Sequence, residues 1–321
     1  MKNFPFKKFY TISVIVMSVF AFLIMLAYPI AGQVAYKLAV ASKVTKTTQR
    51  TTEQLMQEYE LPENKTEWIL TSGPQIWQVK TEDNLNLIGV MIPAETESDN
   101  WVITLHGYRA NWAEMGAVAM EYRNRGFNVV MPDQRGHHLS EGSFLGLGYY
   151  DGKDILKWID KILSVNPNAK IVLHGRSMGG TSVMFATGEN LPDNVVCAIS
   201  DCGYSNAGDV FKHVAKNVLH FPFSSFIISS ADKVTKQHMG VSLSEIDTAA
   251  PLSRSKTPTL FIHGEADTFV PYWMLDVNYN RLAEGVYKEK LVVSGAEHAM
   301  SSTVNPELFN TTVFNFVNRF I

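Results

Sequence analysis

The stretch that most restricts this chain is Gly175-Arg176-Ser177-Met178-Gly179. It stands between an apolar run, Lys170–His174, and a helical pattern, Ser177–Gly188. Glycine two residues either side of a serine marks a turn too tight for side chains at those places. Such a turn lifts the serine Oγ into the open and sets the next backbone N–H beside it. The N-terminus of the helix that follows adds a field favouring a developing oxyanion. As a bare pattern the motif is weak, but the strand and helix around it make it specific.

The flanking chain repeats the same alternation. Ile76–Thr81 and Leu85–Met91 enclose the turn Glu82-Asp83-Asn84 and predict an antiparallel hairpin at a sheet edge. Further short apolar runs follow at Trp101–Leu105, Asn128–Met131, Val195–Ser200, Thr259–His263 and Lys290–Val293. Between them lie the helical patterns Glu114–Arg125, Tyr150–Asn166 and Pro271–Glu284, and Pro306–Phe320 closes the chain. Runs rich in Val, Ile and Leu with helices between them predict a mostly parallel, eight-stranded sheet covered on both faces, an α/β fold. The interval from Asp201 to Pro258 is too long for a simple crossover and carries Phe211, Leu219, Phe221, Phe223 and Phe226. It predicts an inserted helical cap, about 203–257, over the site. Extra packing over the sheet edge is the alternative.

A serine alone is a poor nucleophile; it needs a base, and the base needs an orienting carboxylate. Asp267 follows the run Thr259–His263, and His298 follows the last strand in Ser294-Gly295-Ala296-Glu297-His298. Both are thus expected at strand C-terminal ends, where active-site groups of parallel sheets gather. The order Ser177, Asp267, His298 is the one this kind of nucleophile turn implies. Asp201, ending the run Val195–Ser200, is a competing acid. The oxyanion donors are expected to be the backbone N–H groups of Tyr108, in His106-Gly107-Tyr108, and of Met178.

Taken together, His106-Gly107-Tyr108, Asp133-Gln134-Arg135-Gly136-His137, Gly175–Gly180, His263–Pro271 and Gly295–His298 resemble the α/β-hydrolase superfamily. The similarity is strongest to its bacterial serine aminopeptidase/lysophospholipase-like branch and anchored relatives. That resemblance implies a serine hydrolase working through an acyl-enzyme. The family often has glycine where His138 stands, which bears on the substrate pocket rather than the triad. An ester hydrolase acting on a small-molecule or lipid-like substrate with an apolar part is the leading expectation. A peptidase for short peptides and a catalytically idle, membrane-anchored interaction module are the alternatives.

The N-terminal region carries a second signal. Phe9–Ile30 contains no charged residue and follows Lys2, Lys7 and Lys8. As a helix it would be roughly 33 Å long, enough to span a bilayer core. It predicts a signal-anchor over residues 1–31, then a polar stalk over 32–67 and the hydrolase domain over 68–321. Positive charge before the span favours a cytoplasmic N-terminus and an extracytoplasmic catalytic domain on the cell membrane, by a small margin.

A net charge of −3 with no basic cluster gives no sign of a nucleic-acid partner. The two cysteines, Cys197 and Cys202, would lie about 16 Å apart along an extended chain, beyond disulfide reach. No zinc-type spacing or HExxH pattern occurs, so neither a metal nor a cofactor is expected. Oligomeric state is left open.

Overall fold

The computed structural model describes residues 6–42, 44 and 67–321. Its strands are β1 (Gln75–Lys80), β2 (Asn86–Ile92), β3 (Asn100–Leu105), β4 (Asn128–Pro132), β5 (Lys170–Arg176), β6 (Val195–Asp201), β7 (Thr259–Gly264) and β8 (Lys288–Val293). Among the described residues the helices are α1 (Phe6–Ala39), α2 (Glu67–Thr71), α3 (Gly116–Arg123), α4 (Tyr149–Val165), α5 (Met178–Thr187), α6 (Ala207–His213), α7 (Ser224–Met239), α8 (Ala249–Arg254), α9 (Trp273–Arg281), α10 (Ser301–Val304) and α11 (Pro306–Val317).

The eight strands form one sheet in the order β1-β2-β4-β3-β5-β6-β7-β8. β2 is antiparallel to both neighbours, and every pair from β4 onward is parallel. This is the α/β-hydrolase fold, with the predicted eight strands.

Period-two alternation sends neighbouring residues to opposite faces. Val102 of β3 and Val172 of β5 join Trp112, Tyr122 and Phe314 under α3 and α11. Ile103 and Leu173 point the other way, against Trp158 and Ile159 of α4 and Val183 of α5. α4 buries Ile155, Trp158, Ile159 and Ile162, the i, i+3, i+4, i+7 spacing of a one-sided helix. α11 starts where Asn305 accepts a hydrogen bond from the Leu308 N–H and Pro306 opens the first turn.

The predicted insertion holds α6, a π-helical turn (Val214–Val218), α7 and α8. Its apolar core includes Val210, Ala231, Val234, Leu243 and Ile246, and reaches Met178, the residue after Ser177. Tyr36 and Val40, from the N-terminal segment, are buried in the same core. α1 and α7 run side by side: Tyr28 meets Phe226 edge-on at 5.0 Å, and Tyr36 stacks on His238 at 4.4 Å. A Cβ on Gly32 would lie 2.3 Å from Ser230 Oγ, so glycine permits this approach. Beyond α1 the chain continues along the domain, with the Leu145 N–H donating to Val40 O (2.8 Å) and Ser42 Oγ donating to Gly136 O (2.6 Å).

The expected membrane span Phe9–Ile30 falls within α1. Several side chains of that segment lie outside what the structure describes, and among the described residues no helix is long and apolar enough to cross a membrane. The transmembrane part of the expected architecture is therefore unsupported. Most of the expected stalk, residues 43 and 45–66, also lies outside the described residues.

Candidate active site

Ser177 stands between β5 and α5 with φ 55° and ψ −118°. The left-handed φ costs a non-glycine residue energy, and the surroundings explain why it is held. The Ser177 N–H donates to Asp201 O at 2.7 Å, and Ser177 O accepts from the Thr181 N–H at 3.0 Å. A Cβ on Gly175 would meet Gly179 O at 2.0 Å, and one on Gly179 would meet Leu105 O at 2.2 Å. Backbone packs against backbone at both places, which is the physical content of the two glycines in the motif.

Three residues from three strand ends meet here. Ser177 Oγ lies 2.8 Å from His298 Nε2, and His298 Nδ1 lies 2.7 Å from Asp267 Oδ2. A carboxylate can only accept, so Nδ1 carries the proton. In the neutral ring Nε2 is then the acceptor for the serine hydroxyl. Asp267 is fixed from its other side, where Oδ1 accepts the Phe269 and Val270 N–H groups at 2.9 Å each. His263 Nε2 stands 3.2 Å from Asp267 Oδ2. Burial alone would raise the Asp267 carboxyl, but hydrogen bonds from His263 and His298 outweigh it and hold the group well below the usual carboxylate range.

Asp201, the competing acid, makes no such contact. It is buried and pairs with Arg176 Nε at 3.4 Å. Burial raises its pKa, with Arg176 opposing. Arg176 is buried between Asp201 and Ser302 Oγ (3.0 Å). Position beside a nucleophile does not by itself show whether a long side chain turns outward or under the next loop.

The loop after β3 lies against Ser177: a Cβ on Gly107 would be 3.4 Å from Ser177 Cβ. Met178 opens α5, so its N–H has no acceptor within the helix. Tyr108 Oη donates to Ala39 O (2.5 Å), and the Arg109 guanidinium donates to Leu38 O. The loop beside Ser177 thus caps the last turn of α1, where unpaired carbonyls and the helix dipole favour a cation.

Sequence reasoning left out the groups that hold this loop. The Gly107 N–H donates to Glu114 Oε2 at 2.6 Å, and the Arg109 N–H donates to His137 Nε2 at 3.2 Å. Gln134 Nε2 donates to His106 O at 2.6 Å, and Ser182 Oγ donates to Gln134 Oε1 at 2.7 Å. Burial, then the neighbouring His106, pushes His137 down to about 3, so it stays a neutral acceptor. The signal was the run Asp133–His137, whose role is to fasten the loop. His138, at the family's usual glycine, has φ 44° and bonds Asp133 Oδ2 through Nδ1 at 2.9 Å. The positive φ survives with a side chain that the carboxylate holds.

Arg135 donates to both Asp154 oxygens at 2.6 Å and through Nη1 to Asp83 at 2.9 Å, and is 2% exposed. Arg135→Ala leaves Asp154 buried and unpaired. Urea melts are expected to show a loss of about 3–5 kcal/mol.

Cys197 and Cys202 are free and buried. Among the described residues the one trio with metal-like proximity is Cys202, Asp267 and His298, within 4.8 Å. His298 and Asp267 are already bonded to each other, and burial pushes the Cys202 thiol well up, so it is no ready thiolate ligand.

Comparison with known proteins places this geometry. The profile of the prolyl oligopeptidase family matches residues 116–321. The uncharacterized protein YqkD of Bacillus subtilis (strain 168) is 25% identical over 227 residues, covering 70% of this chain and 73% of YqkD. The Pyrococcus furiosus esterase Pf2001 has 26% identity and a TM-score of 0.64, over 80% of this chain and 96% of that one. The Pyrococcus horikoshii acylaminoacyl peptidase, at 20% identity and TM-score 0.57, shares the fold over 78% of this chain and 43% of its own.

Proposed function

We propose a function from one premise: the chain belongs to the prolyl oligopeptidase family, a family of serine hydrolases. It is a carboxylic ester hydrolase acting on substrates with an apolar part. The hydrogen-bonded chain Ser177–His298–Asp267 carries this reading.

Ser177 Oγ attacks the ester carbonyl while His298 Nε2 takes its proton. The carbonyl oxygen becomes an oxyanion, to which the Tyr108 and Met178 N–H groups donate hydrogen bonds. Collapse breaks the carbonyl–alkoxy bond, and His298 returns the proton to the leaving alcohol. Water then attacks the acyl-serine, His298 taking its proton, and the carboxylic acid departs with Ser177 restored. Asp267 keeps the imidazole in the required tautomer throughout.

The apolar cap core reaching Met178 supports an acyl or aromatic substrate part, as does the likeness to an esterase. The uncharged run Phe9–Ile30 behind Lys2, Lys7 and Lys8 supports a membrane anchor, with the catalytic domain extracytoplasmic. Protease added to intact cells checks that orientation: a domain protected until lysis overturns it.

A fluorophosphonate probe is expected to label Ser177, and no labelling of folded protein would favour an idle module. p-Nitrophenyl esters of rising chain length, run against aminoacyl anilides, test the bond class. Faster anilide turnover would make the enzyme a peptidase.

A further inference from the structure

The turn joining α6 to α7 through the π-helical segment is an exposed apolar tip. Phe223 is 83% exposed, and Val218, Leu219 and Phe221 are exposed with it. His220 and Phe223 hold φ of 51° and 56°, a conformation that bulky residues rarely adopt. Two strained residues thus keep apolar side chains pointing into solvent, where burial would repay nothing.

Two further observations say what covers this tip. The first is register. Tyr28 of α1 contacts Phe226, Ser229 and Ser230 of α7, and Tyr36 contacts His238, so the helices run parallel. At equal rise per residue, Phe223 lies level with about Phe22 of α1. Phe22 is exposed and sits inside the uncharged run Phe9–Ile30. A bilayer that takes up α1 to Ile30 therefore takes up the tip as well. The second is charge. No acidic residue occurs between Asp209 and Asp232, while Lys212 and Lys216 are exposed beside the tip. Lys233, on α7, lies over the Tyr28 ring at 5.1 Å. Apolar side chains at the end and lysines behind them suit an interface with anionic lipid headgroups.

We propose that the cap tip, Val218–Phe223, inserts into an anionic bilayer surface and that the enzyme takes its esters from that bilayer. The inference rests on the anchored ester-hydrolase reading and names its substrate class: esters whose acyl chains reside in the membrane. The path inward is short. Phe211 of α6 packs edge-on against Tyr108 at 6.3 Å, and His213 Nε2 bonds Thr268 O in the Asp267 loop at 2.9 Å. The end of α6 therefore lies beside the site, and the π-helical turn Val214–Val218 leads from it to the tip.

The test uses the full chain reconstituted in phosphatidylcholine vesicles with and without phosphatidylglycerol. Phe223→Cys carries an environment-sensitive fluorophore, the two native cysteines being buried. Shallowly brominated lipid is expected to quench it at least about twofold, more strongly with the anionic lipid. In a second arm, Phe221→Ser/Phe223→Ser is expected to slow hydrolysis of a vesicle-borne long-chain ester about tenfold or more. Turnover of a soluble short-chain ester should stay within about twofold of wild type. An unquenched probe overturns the proposal, as does quenching that depends on protein density, which would mark a second copy as the occupant. Equal slowing of both esters overturns it too. Failure of the wild-type chain to hydrolyse the soluble ester would sink the hydrolase reading instead, and the quenching arm would still judge the tip.

Discussion

Ser177→Ala is expected to lower kcat on an activated ester about 10⁵–10⁶-fold while leaving KM within a few-fold. The variant removes one oxygen from a side chain that is 6% exposed and makes its side-chain hydrogen bond to His298. The backbone that holds the strained φ, from Asp201 O to the Thr181 N–H, is untouched. Melting temperature should therefore change little, and a crystal of the variant should show the same turn. His298 would still stand against Asp267, so a trace of water attack assisted by the imidazole and the oxyanion donors should survive above the uncatalysed rate. A variant that keeps more than about a hundredth of wild-type turnover would remove Ser177 from the chemistry.

The fold and the site differ in how openly the residues announce them. Strand runs such as Trp101–Leu105 and Lys170–His174 hold consecutive apolar residues, Trp101-Val102-Ile103 and Ile171-Val172-Leu173, because both faces are covered, so the sheet could be found from the sequence. Ser177, Asp267 and His298 could be found because each follows a strand and the turn around the serine demands glycine. What stayed hidden depends on pairs distant in sequence. Nothing local says that Arg176 turns inward to Asp201, that Glu114 holds the Gly107 N–H, or that His137 accepts from Arg109. The clearest instance is α1. Its apolar composition suggested an anchor followed by a stalk, yet Tyr36 and Val40 are buried in the cap core. Its last carbonyls are capped by Tyr108 and Arg109, so the N-terminal helix and the loop after β3 share hydrogen bonds. That coupling is written in side-chain donors over 60 residues away along the chain, beyond the reach of periodicity.

Asp267→Ala is expected to lower kcat about 10⁴-fold, and Asp201→Ala less than about tenfold, on the same ester. Both acids lie at neighbouring strand ends, but only Asp267 bonds His298 Nδ1, at 2.7 Å. Without it the ring loses the group that selects the Nδ1–H tautomer and that stabilises the imidazolium formed as Ser177 attacks. Asp267→Asn should be similarly impaired, because an amide nitrogen facing Nδ1 would push the ring proton onto Nε2, toward Ser177. Asp201→Ala acts elsewhere. It strands the buried Arg176 guanidinium, so it should cost stability, about 3–5 kcal/mol in a urea melt, rather than turnover. The two variants also separate by pH. The Asp267 carboxyl is held below its ordinary value, so the folded form binds that proton less readily than the unfolded chain. Its contribution to stability is present above about pH 4 and is lost as pH falls below that. Removing Asp267 should flatten the acid side of the stability profile. Asp201, whose carboxyl is raised, has the opposite sign: its penalty grows as pH rises above about 4, and Asp201→Ala removes that slope. If Asp201→Ala loses turnover while Asp267→Ala keeps it, the acid has been assigned to the wrong strand end.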